Sequence, residues 1–209
     1  MIWFELTRGL PIALRVLREE LGGAERRRAL LCFARRSAGG NPFAALGRST
    51  TPGETFTRRQ LKPVLILHDV LREDLGLPLP RTLAILGRLV AESGAAFIAS
   101  NLSMPPRAEW EKLPAAEQRG FAQRVLDRFL NARAELVETP GATFGFDVRA
   151  CHFVDLTRRL GRTELAALFC QADSVFFGRP ESPVRLERAT TLAAGGESCP
   201  FRFKWTDEK

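Results

Sequence analysis

The hydrophobic pattern of this chain changes period once, and that change constrains the fold more than any other feature. Up to about residue 137 apolar side chains recur at helical intervals; after Thr139-Pro140-Gly141 they alternate. In Thr143 to Cys151 the residues Phe144, Phe146, Val148 and Ala150 alternate with Gly145, Asp147, Arg149 and Cys151, as a strand with one apolar face requires. The same alternation predicts that Asp147, Arg149 and Cys151 share the other face. Phe153 to Leu160 and Thr163 to Phe177 read as helices separated by Gly161. Val184 to Thr191 and Cys199 to Trp205 alternate again and predict two antiparallel strands joined through Ala193-Ala194-Gly195-Gly196. The C-terminal unit is thus expected to run strand, helix, helix, strand, strand.

Before it, Leu10 to Arg36 fits two amphipathic helices broken at Gly22-Gly23, and Ser37 to Phe56 reads as a long loop. Thr57 and Gln60 have capping-box spacing ahead of Leu61, Val64 and Leu65, with Pro63 near the helix start. Further helices are predicted from about Pro80 to Asn101, around Trp110, and from about Pro114 to Val137. The expected architecture is a single α+β domain over residues 1–209. Its mainly helical part, 1–140, packs on a sheet-containing part, 141–209, that carries the site.

With 26% charged residues, no apolar run is expected to reach the roughly 20 residues needed to span a bilayer. Arg15 and Glu19 break the early apolar stretch, so the default compartment is the cytoplasm. A net charge of +7 invites a nucleic-acid reading, but the arginines are scattered and mixed with Asp and Glu, and no stripe emerges. Four cysteines, at 32, 151, 170 and 199, are too few for a disulfide framework in a chain this long; they are free, catalytic or metal-bound.

Three of the four cysteines fall in the last 60 or so residues. Cys170 and Asp173 lie three apart on a helix and share a face, pairing a thiol with a carboxylate in an apolar setting. Cys199 shares a strand face with Phe201, Phe203 and Trp205. Arg188 alternates in step with Val184 and Leu186, so its guanidinium is expected among buried side chains, where it needs a carboxylate or an anionic ligand. Bland readings stand beside these. A buried cysteine is more often a small hydrophobe than a nucleophile; Asp173 and Arg188 can form a purely structural ion pair; His68 reads as a core or boundary residue. His152 should face away from Cys151, and Cys32 has no partner nearby in sequence.

Three stretches together resemble the L-2-amino-thiazoline-4-carboxylic acid hydrolase family: the run Phe146-Asp147-Val148-Arg149-Ala150-Cys151-His152-Phe153, then Cys170-x-x-Asp173, then Arg188-x-x-Thr191-Leu192-x-x-Gly195-x-x-x-Cys199-x-Phe201-Arg202. The order and spacings agree from Phe146 to Trp205. The chain differs from the family pattern at Asp147, at Arg149-Ala150 and at Pro200. The resemblance implies a cysteine-dependent hydrolase acting on non-peptide carbon–nitrogen bonds, opening a cyclic amidine to an N-carbamoyl amino acid. It implies a thiolate from Cys170, Cys199 or Cys151, with Asp173 as proton donor. Arg188, Thr191, Gly195, Asp147 and Arg149 are then candidates for holding substrate. No cofactor and no metal are expected; the expected partner is a small-molecule substrate, with a homo-oligomer left open and neither membrane nor nucleic acid favoured. Two alternatives remain: a zinc site made from the cysteines and Asp173, although no close Cys-x-x-Cys pair is present, and a non-catalytic ligand-binding or sensor module of the same fold.

Overall fold

The structure, a computed structural model, describes residues 5–138 and 143–206. The Thr139-Pro140-Gly141 turn expected at the change of period lies outside the described residues.

Seven longer helices and four strands organise these residues. Helices α1 (Leu10–Glu20) and α2 (Gly23–Gly39) are separated at Gly22-Gly23, as the sequence predicts. Helix α3 (Pro52–Asp69) starts earlier than expected. The hydroxyl of Thr51 accepts from the Glu54 N–H at 3.1 Å, and Pro52 occupies the first turn, where its missing N–H costs nothing. The capping box assigned to Thr57 and Gln60 is therefore corrected. Thr57 is fully buried inside the helix and donates to the Gly53 carbonyl at 2.7 Å, and the long loop shrinks to roughly 40–51. At Gly53 the chain comes very close to its neighbours: a β-carbon there would lie 2.2 Å from the Leu130 carbonyl oxygen and 3.1 Å from Nε2 of His152.

Helix α4 (Leu79–Asn101) follows. The expectation that no stretch approaches bilayer length is corrected here, since α4 is long and apolar enough by length and composition, with a mean hydropathy of 1.5. Its Ile85, Leu86, Val90, Ala91 and Ala95 are buried against the rest of the chain, and Arg88 pairs with both Glu92 and Glu20. It packs along α7 (Ala166–Phe177) so tightly that a β-carbon at Gly94 would lie 2.4 Å from that of Ala172.

The helix expected over 114–137 is corrected too. Helix α5 ends at Leu126 (Ala115–Leu126), and Ala132–Val137 form strand β1. Alanine, glutamate and leucine favour a helix there, but pairing with β2 (Phe144–Cys151) wins, because only a neighbouring strand can supply the ladder of backbone bonds. After α6 (His152–Arg159) and α7 come β3 (Val184–Glu187) and β4 (Cys199–Trp205), antiparallel as predicted; β3 stops short of the expected Thr191, because its pairing with β4 ends at Glu187 opposite Arg202, and Arg188 follows the strand. The sheet order is β1-β2-β4-β3, wholly antiparallel, and the architecture is α+β.

Two cores result. One is helical, around Leu61, Leu71, Leu86 and Leu156. The other lies on the sheet, where Phe144, Phe146, Phe201 and Phe203 meet Trp110, Phe121 and Phe129 in stacked and edge-on contacts. Cys151 touches both and marks the seam between them.

Candidate active site

Asp173, on the third turn of α7, faces the segment just after β3. There Arg188 Nη1 donates to its carboxylate at 2.7 Å, while Nη2 donates to the Cys170 carbonyl at 2.8 Å. The guanidinium also lies over the Phe201 ring, 4.9 Å from its centre. The Arg188 side chain is only 8% exposed and that of Asp173 19%, so both partners of the predicted pair are largely withdrawn from water. Such a pair favours its geometry more than it favours stability.

All three C-terminal thiols lie within electrostatic reach of this pair. Cys170 stands one turn before Asp173 on α7. Cys199, buried on β4 beside Val148 of β2, accepts a hydrogen bond from the Leu192 N–H at 3.1 Å. Cys151 reaches the group by a device the alternation does not reveal. In the β1–β2 ladder Arg133 pairs with Ala150 and Ala134 with Val148, leaving Arg149 as an extra, unpaired residue. This bulge resets the alternation, so Cys151 joins the face of Val148 and Cys199 instead of that of Asp147. The shared face predicted for Asp147, Arg149 and Cys151 is corrected accordingly.

Asp147 and Arg149 stay on the opposite face and are not brought to the thiols. Asp147 accepts from Arg202 Nη2 at 2.7 Å and pairs with Arg149 at 3.0 Å, and Arg149 also lies 3.6 Å from Glu135. Arg202 was no candidate, although its place on β4 puts it on that face. His152 packs over Gly53, and Cys32 belongs to the helical core. His68 is buried there, between Asp69 at 3.1 Å and Glu164 at 3.8 Å.

Thr191 and Gly195 shape a turn. The Thr191 hydroxyl accepts from the Ala194 N–H at 3.1 Å, and Gly195, at φ 86°, takes the left-handed conformation that closes it. With Ser174, Leu186, Arg188, Ala189 and Thr190, Thr191 and Ala194 line an open cavity of roughly 230 Å³. Among the described residues no three His, Cys, Asp or Glu side chains are arranged to hold a metal ion, so the zinc alternative lacks a ligand set.

Burial pushes the Asp173 carboxyl up, and Arg188 pulls it back. Burial likewise raises all three thiols, Cys170 to about 11, with Arg188 opposing the rise at Cys170 and Cys199. At both sulfurs desolvation outweighs the cation. The folded protein therefore keeps the Cys170 proton well above the ordinary thiol value of 9.0, whereas the unfolded chain releases it there. The stabilising contribution is complete below pH 9 and is lost as the pH climbs toward 11. Urea midpoints measured from pH 8 to 11 should fall over that window, and the fall should be shallower in Cys170→Ala. The chain has no tyrosine to confuse the result.

A sequence model of the L-2-amino-thiazoline-4-carboxylic acid hydrolase family matches residues 78–203, from the start of α4 through most of β4. The chain belongs to that family. No curated protein and no solved structure matches it. In this member of the amino-thiazoline-carboxylate hydrolase family, the matched stretch holds the thiols Cys151, Cys170 and Cys199, the Asp173–Arg188 pair and the Thr191 turn.

Proposed function

We propose that the protein hydrolyses a small cyclic amidine of the 2-amino-thiazoline-carboxylate type, using a cysteine thiolate, Asp173 and Arg188. The observation that carries this reading is the largely buried Asp173–Arg188 pair, with the three thiols within electrostatic reach of it, inside the stretch that matches the family.

The chemistry suits those groups. A thiolate adds to the amidine carbon, and the electron pair of its C=N bond moves to the ring nitrogen, which takes a proton from Asp173. The ring carbon–sulfur bond then breaks, the ring sulfur leaves as a thiolate, and the carbon stays on the enzyme sulfur as an isothiouronium cation. Water adds to that carbon and gives one proton to Asp173; as the enzyme thiolate departs, the remaining hydroxyl proton passes to the released sulfur, which becomes a thiol. One water is consumed and the amidine carbon becomes the urea carbon of an N-carbamoyl amino acid; both nitrogens stay on that carbon and the bond cleaved is carbon–sulfur, so ring opening of this kind replaces the carbon–nitrogen cleavage that the resemblance implies. A carboxyl whose pKa is raised by burial is suited to both proton transfers. Arg188 holds the Asp173 carboxyl in place, and Thr191 and Gly195 hold the turn.

Incubation with 2-amino-thiazoline-4-carboxylate and related cyclic amidines, followed by mass spectrometry, tests the proposal. A product heavier by one water, absent in Asp173→Ala, is the expected result. Saturable binding without any such product would instead favour a ligand-binding module.

A further inference from the structure

We propose that Cys199 is the nucleophilic sulfur of this site and that the backbone N–H of Leu192 holds its thiolate. The fate of the substrate rests on the hydrolase reading above, whereas the state of the thiol belongs to the free protein and is measurable without a substrate.

The three thiols differ in what stabilises a negative sulfur. Cys170 sits inside α7, draws only on the Arg188 charge, and faces Asp173 and the other two thiols. Cys151 has the N–H groups of Phe153 and Val154 at the start of α6, but the charges that oppose it are Asp173 and Cys199. Cys199 has both kinds of help, a backbone N–H at 3.1 Å and the Arg188 guanidinium, with Asp173 of α7 set against them. Hydrogen bonding to the charged form and an opposite charge nearby are the two influences that favour a thiolate.

The donor is built in. The Thr191 carbonyl accepts from both Ala194 and Gly196 at 3.0 Å, and its hydroxyl caps Ala194. At Gly196 a β-carbon would lie 2.1 Å from the Thr190 hydroxyl and 3.1 Å from the Thr191 carbonyl oxygen, so any larger residue must displace Thr190. The turn thus fixes Leu192 with its N–H aimed at sulfur. Thr191 and Ala194, which flank that donor in the chain, wall the cavity of roughly 230 Å³.

The donor can be deleted selectively. Leu192 is the first residue of the turn, where proline is best tolerated, and Thr191 before it is extended (φ −140°, ψ 151°), as a residue preceding proline must be. Leu192→Pro removes the N–H, and Leu192→Ala keeps it while losing the same side-chain packing. Alkylation of the full-length protein by iodoacetamide, followed at each cysteine by peptide mass from pH 7 to 11, reads the ionisation of all three. In the wild type Cys199 should reach half of its limiting rate at the lowest pH of the three. Leu192→Pro should slow Cys199 about tenfold below that midpoint, the change expected for one pKa unit, and Leu192→Ala less than twofold. A higher midpoint for Cys199 than for Cys151, or equal slowing by both Leu192 variants, overturns the proposal. Should Leu192→Pro fail to fold, Thr191→Val and Thr191→Ser replace it: slowing by Val with recovery by Ser supports the turn's role, and equal rates refute it. Where turnover of a cyclic amidine is detected, Cys199→Ser should abolish it, and Cys32→Ser, in the helical core, should not. If the wild type turns over none, the hydrolase reading fails while the alkylation result stands on its own.

Discussion

Arg188→Met should destabilise the protein by about 3 kcal/mol near pH 8, because it strands the Asp173 carboxylate without its partner. The loss is set at the low end for a broken buried pair, since the Asp173 side chain keeps about a fifth of its exposure. Two further contacts go with the guanidinium: the Cys170 carbonyl loses its donor, and Phe201 loses the cation above its ring. The sign of the pH dependence follows from the charge. Without Arg188 the Asp173 pKa rises further, so the penalty is greatest where the carboxylate is charged and shrinks as acid neutralises it. Urea unfolding at pH 8 and pH 5 should show the larger loss at pH 8. Adding Asp173→Leu to Arg188→Met should recover most of the stability, because a pair of apolar side chains replaces the stranded charge. A double variant no more stable than the single one would mean that the guanidinium supports the fold through its other contacts and not through Asp173.

Phe146→Ala should cost more, about 4 kcal/mol, which for a chain of this length is a fall in Tm of roughly 8–16 °C. Phe146 is fully buried. Its ring stacks on Phe201 at 4.7 Å, meets Phe129 edge-on at 5.2 Å and leans on Phe203 at 5.9 Å, so removing it opens a cavity lined by three rings fixed on β4 and the α5–β1 connection. Because Phe201 is also the ring beneath Arg188, the site should loosen along with the core. Calorimetry gives the stability term. A loss under 1 kcal/mol would show that the aromatic layer closes over the gap and does not set the position of Phe201.

Strands β2 and β4 were legible in the sequence because alternation of phenylalanines needs no partner to be seen. Strand β1 was not. The run from Ala132 to Val137 has the composition of a helix, and only its pairing with β2 makes it a strand. The pairing of Asp173 with Arg188 could be read from a helix face and from the alternation that leads into Arg188, although Arg188 itself lies just past the end of β3. The sulfur of Cys151 could not be placed, because a bulge is a property of two strands and one strand's residues do not announce it. The Leu192 N–H was hidden for a related reason: a backbone donor leaves no mark on the amino-acid alphabet, and only the glycines after it hinted at the turn.

The supernumerary Arg149 sets the parity of the strand, since a chain whose sides alternate reverses its reading after every extra residue. Substituting it leaves the bulge intact, and excising it would leave plain alternation, with Ala150 still outward and Cys151 still inward. Keeping the residue while flattening the bulge is what would turn Ala150 inward and carry the Cys151 sulfur out to solvent, so the place of that sulfur depends on the kink and not on the chemical nature of the residue that supplies it.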